Sequence, residues 1–299
     1  MSSSRIKLSL FLCLCMCLGI GILRFSYTAL LPSTRDAFGW TTQFASILGS
    51  ANLLGYLIGA FWAMRLPQTR IMAAYIQAAA FAGMISLLSC AFSGFPDAWY
   101  LFWRIISGIS GGLIMILSPS IVAQCSELKD RFTINFIGFS GIGIGVLLAT
   151  LFLPYLDQIA IRTAWLILTG FAFCIGIILS LLLKGLKPLL ASEIPRSGAK
   201  AELNTLFFSL VAVYGCSAFA YVPHSLFWID YLTQVLKLDL FWMNFNWILY
   251  GLGSALGAFS SYMLAKRLGN FQALKILYSV YVFAIFIAVF SFNPLYTFI

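Results

Sequence analysis

Between Leu8 and Leu31 the sequence runs LSLFLCLCMCLGIGILRFSYTALL, an apolar stretch interrupted by one charge, Arg24. At about 1.5 Å of rise per residue, such a run is long enough to cross the ~30 Å hydrocarbon core of a bilayer as a helix. Only helices and closed barrels satisfy their own backbone in lipid. Barrel strands would show short alternating segments, so these long unbroken runs select helices. The 299 residues are 62% hydrophobic and 9% charged, with a mean hydropathy of +0.98, a balance no soluble core requires. The fold class is therefore an all-α polytopic membrane protein. The first run is too long for the apolar region of a cleavable signal peptide, and no soluble domain follows it.

The pattern predicts about nine spans and the start of a tenth, near 8–31, 44–64, 71–92, 99–123, 134–156, 164–183, 205–232, 243–264 and 271–292. One connection stands apart. Residues 184–204, KGLKPLLASEIPRSGAKAELN, combine Pro, Gly and Ser with charges and read as a linker. This divides the chain into an N-terminal six-helix half (1–183), a cytoplasmic linker (184–204) and a partial C-terminal half (205–299). With the N-terminus in the cytoplasm, only Arg35, Arg162 and Lys237 fall outside, and Arg24 and Arg104 lie in the membrane. Every other Lys and Arg is then inside, as the positive-inside bias requires. The net charge of +9 reflects this bias and not a nucleic-acid partner.

The halves carry a weak internal repeat. LLGYLIGAF (53–61) aligns with GLGSALGAF (251–259), pairing Gly55 with Gly253 and Gly59 with Gly257. Phe25 and Tyr27 align with Phe219 and Tyr221, and Asp36 with Asp230. On that alignment Ile299 falls opposite Leu101, so the counterparts of the last three helices of the repeat are expected beyond it. A chain ending there is expected to be poorly stable and inactive alone.

A charge at the centre of a span costs about 2.5–3.5 kcal/mol on insertion scales, so Arg24 is expected to face a cavity or a protein interior. Tyr27 and Thr28 follow three and four residues later and share its helix face. One reading is a polar stripe that lines a substrate cavity, with Arg24 pairing an anionic group. The other is a structural arginine satisfied by carbonyls or reaching for an interface. The acidic residues all lie in loops or near span ends, so no central partner is evident. Arg104 poses the same choice between cavity and interface. After it come Gly108, Gly111 and Gly112, which permit close backbone approach. Gly141 and Gly145 form a second close-packing face. His224, the only histidine, follows Pro223 and is a candidate for proton coupling with Asp230, or a hydrogen-bonded interior residue. Asn52, Asn244, Asn246 and Trp247 supply further polar and aromatic lining.

Some chemistry is absent. Cys13, Cys15 and Cys17 are about 200° apart in successive pairs on a helix, do not converge on a metal, and read as small hydrophobes. No phosphate-binding loop argues for ATP-driven transport, and no nucleophile–base or paired-carboxylate arrangement argues for an enzyme. No cofactor and no metal are expected.

RFSYTALLP (24–32), SANLLGYLIGA (50–60), RIISGISGG (104–112), GFSGIGIGV (138–146) and YGCSAFAY (214–221) resemble, in order and spacing, segments of the major facilitator superfamily, and within it the YbfB/YjiJ-like branch. Two departures stand out. Leu23 occupies a position where glycine is common, and RLPQTR (65–70) lacks the acidic-then-basic loop pattern. The resemblance implies a secondary transporter of the inner membrane that moves a small polar or anionic solute by alternating access. Its partners would be the solute, the lipid bilayer and a coupling ion such as the proton. The alternative is a truncated, non-transporting remnant or a membrane receptor retaining the fold.

Overall fold

The computed structural model describes residues 3–66, 69–151, 155, 160–191, 204–232, 236–238 and 240–290; the side chains at 3, 69, 187–191, 223–224, 226–227, 229–230, 240, 243 and 287–290 lie outside that description. In chain order the elements are α1 (Ser3–Met16), a π-helical turn (Cys17–Ile22), α2 (Phe25–Phe38), α3 (Thr42–Ala63), α4 (Thr69–Ser89), α5 (Asp97–Cys125), α6 (Leu128–Thr150), α7 (Ile161–Ala191), α8 (Thr205–Asp230), α9 (Leu240–Leu268) and α10 (Asn270–Phe290). Among the described residues, eight helices are long and apolar enough to cross a membrane, and α10 adds a shorter apolar stretch, Asn270–Phe286. The first of the eight joins α1, the π turn and α2 into one crossing, Ser4–Phe38.

The ends of the elements follow local chemistry. Gly39 adopts φ 67°, and its N–H donates to the Arg35 and Asp36 carbonyls, closing α2 with a left-handed cap that favours glycine. Thr41 Oγ1 then accepts the Phe44 N–H at 3.2 Å and opens α3. At the other end of this half, α7 runs to Ala191, past Lys184, where the sequence places the linker. The reason is packing: Leu183 and Leu186 extend the buried stripe of Leu179 by one and two turns. Residues 192–203 lie outside the described residues.

Several helix contacts depend on the absence of a Cβ. Gly55 and Gly59 of α3 lie against the Ile105 and Ile109 backbone of α5, while Gly108 and Gly112 of α5 lie against the Asn52 and Tyr56 backbone of α3. This reciprocal small-xxx-small crossing brings the two backbones together, the kind of packing that holds helices where lipid removes the hydrophobic drive. Gly141 and Gly145 of α6 meet Cys13, Cys17 and Gly21 on the first crossing. Gly143, on another face of α6, meets Gly251 and Ala255 of α9 and forms part of the contact between α6 and α9.

The buried core lies almost wholly in the first six crossings. By contrast α8 exposes Leu206, Phe207, Phe208, Leu210, Val211 and Phe219. In water that surface would drive aggregation, whereas against lipid tails exposed apolar side chains carry no such penalty.

Candidate functional site

Arg24 stands at a break in the first crossing. The π turn widens the helix over Cys17–Ile22, with Leu23 N–H donating to Leu18 O at 2.9 Å. Regular helix resumes only at Phe25, leaving Arg24 at the junction (φ −97°, ψ −56°). The sequence permits this through Gly21, which lies against the Gly145 backbone of α6 too closely for any side chain, and Gly19, which abuts the Ile114 side chain of α5. The Leu23 carbonyl, displaced from the regular ladder, accepts Ser107 Oγ of α5 at 3.1 Å. Such π bulges are frequent at functional sites, and this one releases Arg24 from the helix wall.

The guanidinium reaches a cavity of about 640 Å³ between the two halves. The first half supplies Ile20, Arg24, Phe25, Tyr56, Met115 and Ile142; α8 supplies Tyr214, Tyr221, Ser225 and Trp228; α9 supplies Asn246, Trp247, Leu249, Tyr250, Gly253 and Ser254. Arg24 Cζ lies 5.3 Å from the Phe25 ring centroid and 5.9 Å from that of Tyr221. At those distances a cation–π attraction of roughly 0.5–2 kcal/mol steadies the side chain without consuming its N–H donors. Among the described residues it has no carboxylate partner; the ion pairs found are Arg5–Asp130, Arg35–Asp36 and Lys129–Glu127.

The aromatic wall is ordered by its own contacts. Phe25, Trp247 and Tyr250 pack together, with centroid separations of 6.5 Å for Phe25–Trp247, 5.3 Å for Phe25–Tyr250 and 5.6 Å for Trp247–Tyr250. The Tyr221 and Tyr250 hydroxyls are hydrogen-bonded to each other. Trp228 Nε1 donates to Asn246 Oδ1 at 3.2 Å. The result is a planar-sided, mostly apolar pocket with one cation and a few neutral hydroxyl and amide groups, the general make-up of a small-molecule site.

The other sequence candidates fall into a second, smaller space. Tyr27, Thr28, Asn52 and Arg104 line a chamber that shares Arg24, Phe25 and Ser225 with the main cavity. Arg104 does not reach for an interface: it is 2% exposed, and its Cζ sits 4.1 Å from the Tyr27 ring centroid. Tyr27 donates its hydroxyl to Ala45 O at 2.9 Å, and Asn52 Nδ2 donates to Arg104 O at 3.2 Å. Gly108, one turn on from Arg104, lets α3 approach closely enough for that amide to reach. Asn244 is buried but lines neither space. His224 and Asp230 belong to α8, and their side chains lie outside the described residues. Gly141 and Gly145 pack within the first half, so the glycine of α6 set against α9 is Gly143, which sequence reasoning did not single out.

Of the aromatic wall, sequence reasoning offered Trp247, which lines the cavity together with Asn246, and passed over the roles of Tyr214, Trp228 and Tyr250. One signal was present. Tyr214, Tyr221 and Trp228 recur at heptad spacing along α8 and so share a face, with Ser225 between them.

The family described as "uncharacterised MFS-type transporter YbfB" matches residues 16–299. The chain belongs to this major facilitator family. No curated protein matches the YbfB-type sequence. Among solved structures, the proton:xylose symporter XylE bound to 6-bromo-6-deoxy-D-glucose aligns with a TM-score of 0.63 at 16% identity, over 89% of this chain and 70% of its own. A bacterial homologue of the human lysosomal transporter Spinster, inward-facing and occupied, gives 0.61 at 18% identity, over 90% of this chain and 63% of its own. XylE from E. coli in a partially occluded inward-open conformation gives 0.59 at 15% identity, over 89% and 74%. These likenesses establish the major facilitator fold. The YbfB-type chain spans between about three fifths and three quarters of the length of these structures.

Proposed function

We propose that this YbfB-type protein is a secondary transporter of the inner membrane that moves a small organic anion with a planar or apolar body by alternating access. The observation that carries the reading is Arg24, a cation without a described carboxylate partner, set in an aromatic cavity between two helix bundles. A guanidinium offers a planar fork of donors matched to a carboxylate, and the rings offer flat apolar faces for the remainder of the solute. In this reading the chain before the end of α7 and the chain from α8 onward are the two bundles that rock against each other. The proton is the proposed coupling ion. His224 and Asp230 are its candidate carriers, because His224 lies in sequence between the cavity residues Tyr221 and Ser225.

Trp228 and Trp247 line the cavity, so its occupancy can be read from tryptophan fluorescence. Titration of the purified protein with aromatic carboxylates is expected to give saturable quenching. Their neutral amides are expected to bind at least tenfold more weakly, a difference of about 1.4 kcal/mol. Neutral polyols or amides binding as tightly as the carboxylates would sink the anion reading.

Orientation gives a separate prediction. The charge bias places the N-terminus and the segment after α7 in the cytoplasm. Single cysteines replacing Asp97 and Leu190 on a cysteine-free background should be labelled from opposite sides of the membrane. Labelling of both by an impermeant maleimide from the periplasm would end that topology.

A further inference from the structure

A groove of about 330 Å³ runs between α4 and α7, and it shares no lining residue with the cavity between the halves. Small residues keep it deep. Ala80 and Ala172 are buried beneath it, and nothing stands within 4 Å of where a Gly176 Cβ would be. Phe81, Phe173, Ile177 and Leu181, all exposed, supply apolar walls. Along α7 the lining recurs at four-residue spacing through Ala172, Gly176, Ser180 and Lys184, so it follows one helix face. From Ala172 to Lys184 the helix rises about 18 Å. That length is close to one leaflet, half of the ~30 Å hydrocarbon core.

Polarity is confined to one end. Ser180 Oγ donates to the Gly176 carbonyl at 2.9 Å and is committed to its own helix. Gln77 and Lys184 remain, and among the described residues no acidic side chain lines the groove. As the third and sixth crossings, α4 and α7 run in opposite directions, so the start of α4 and the end of α7 lie on the same side. Exposed Arg70, near the start of α4, is on that side too. The charge bias makes it the cytoplasmic side. An apolar slot one leaflet long, with a cation at the depth of the headgroups, matches a phospholipid in both parts. A free anion would leave the slot unused. A helix, about 10–12 Å across, is too wide to enter it.

We propose that this groove holds one anionic phospholipid, with an acyl chain along α7 and its headgroup phosphate at Lys184. The proposal needs no residue of the transport reading, so each can fail alone.

The test is native mass spectrometry of the full chain in detergent, titrated with phosphatidylglycerol or phosphatidylcholine of identical acyl chains. One phosphatidylglycerol should be retained about fivefold more tightly than phosphatidylcholine, the worth of one Lys beside an anionic headgroup. Lys184→Gln should remove that preference, and Lys184→Arg should keep it. Gly176→Leu fills the slot where space is free, leaves the charge in place, and should lose the retained lipid of either kind while eluting as the wild type does. Glycerophosphoglycerol, the headgroup without chains, should not displace the lipid. Equal retention of the two lipids by the wild type, wild-type retention in Gly176→Leu, displacement by the chain-free headgroup, or a lipid-free dimer in which a second copy covers the groove would overturn the proposal.

Discussion

Replacing Arg24 with alanine is expected to abolish solute binding and transport while leaving the amount of folded protein in the membrane largely unchanged. Both halves of that expectation come from the same geometry. Arg24 contributes ring contacts to Phe25 and Tyr221 but no described ion pair, so the fold loses at most a cation–π attraction of about 2 kcal/mol. A bound anion loses a charge-assisted interaction of about 1.5–3 kcal/mol, or roughly ten- to hundredfold in affinity. Arg24→Lys should recover only part of the function, since a point charge replaces a planar fork. The measurement pairs uptake in cells with membrane abundance from the same cultures. Normal transport by Arg24→Ala would remove the residue from the site. The equivalent change at Arg104 is no substitute for this test, because Arg104 is buried beneath Tyr27 in the interior of the first half.

What sequence alone made legible divides along physical lines. Helical crossings were visible because lipid demands long apolar runs, and the pattern is nearly independent of tertiary detail. Arg24 was visible because a charge in such a run is rare. The π turn that frees it was not. A one-residue widening leaves hydropathy unchanged, and its permission lies in Gly19 and Gly21, whose significance appears only with Gly111, Ile114 and Gly145 alongside. Apart from Trp247, the aromatic wall was hidden for a different reason. Tyrosine and tryptophan in a membrane helix serve equally as packing, belt or binding groups, and only the meeting of α8 and α9 with Arg24 separates these roles. The direction of a glycine face was likewise unreadable. Gly141, Gly143 and Gly145 are neighbours in sequence, yet the outer two face the first crossing and the middle one faces α9.

That lesson yields the second large effect. The same substitution, glycine to alanine, should have opposite consequences at Gly108 and Gly176. Alanine has the better helix propensity by about 1 kcal/mol, so with space available it is neutral or stabilising. Gly176, in α7, has nothing within 4 Å of where its Cβ would stand. At Gly108 the new methyl would strike the Asn52 carbonyl and the Tyr56 nitrogen, both main-chain atoms of α3 that cannot swing aside as a side chain would. The collision must be relieved by separating α3 from α5, which also undoes the neighbouring contacts at Gly55, Gly59 and Gly112 and stretches the Asn52–Arg104 hydrogen bond. Overpacking of this kind costs about 1–3 kcal/mol and occasionally more. Gly108→Ala should therefore lower the thermal midpoint by about 5 °C, and Gly108→Leu should leave little monodisperse protein. Gly176→Ala should match or exceed the wild type. Size-exclusion profiles of detergent extracts after heating steps read all three, and a Gly108→Leu protein with the wild-type midpoint would show that α3 and α5 do not cross backbone to backbone.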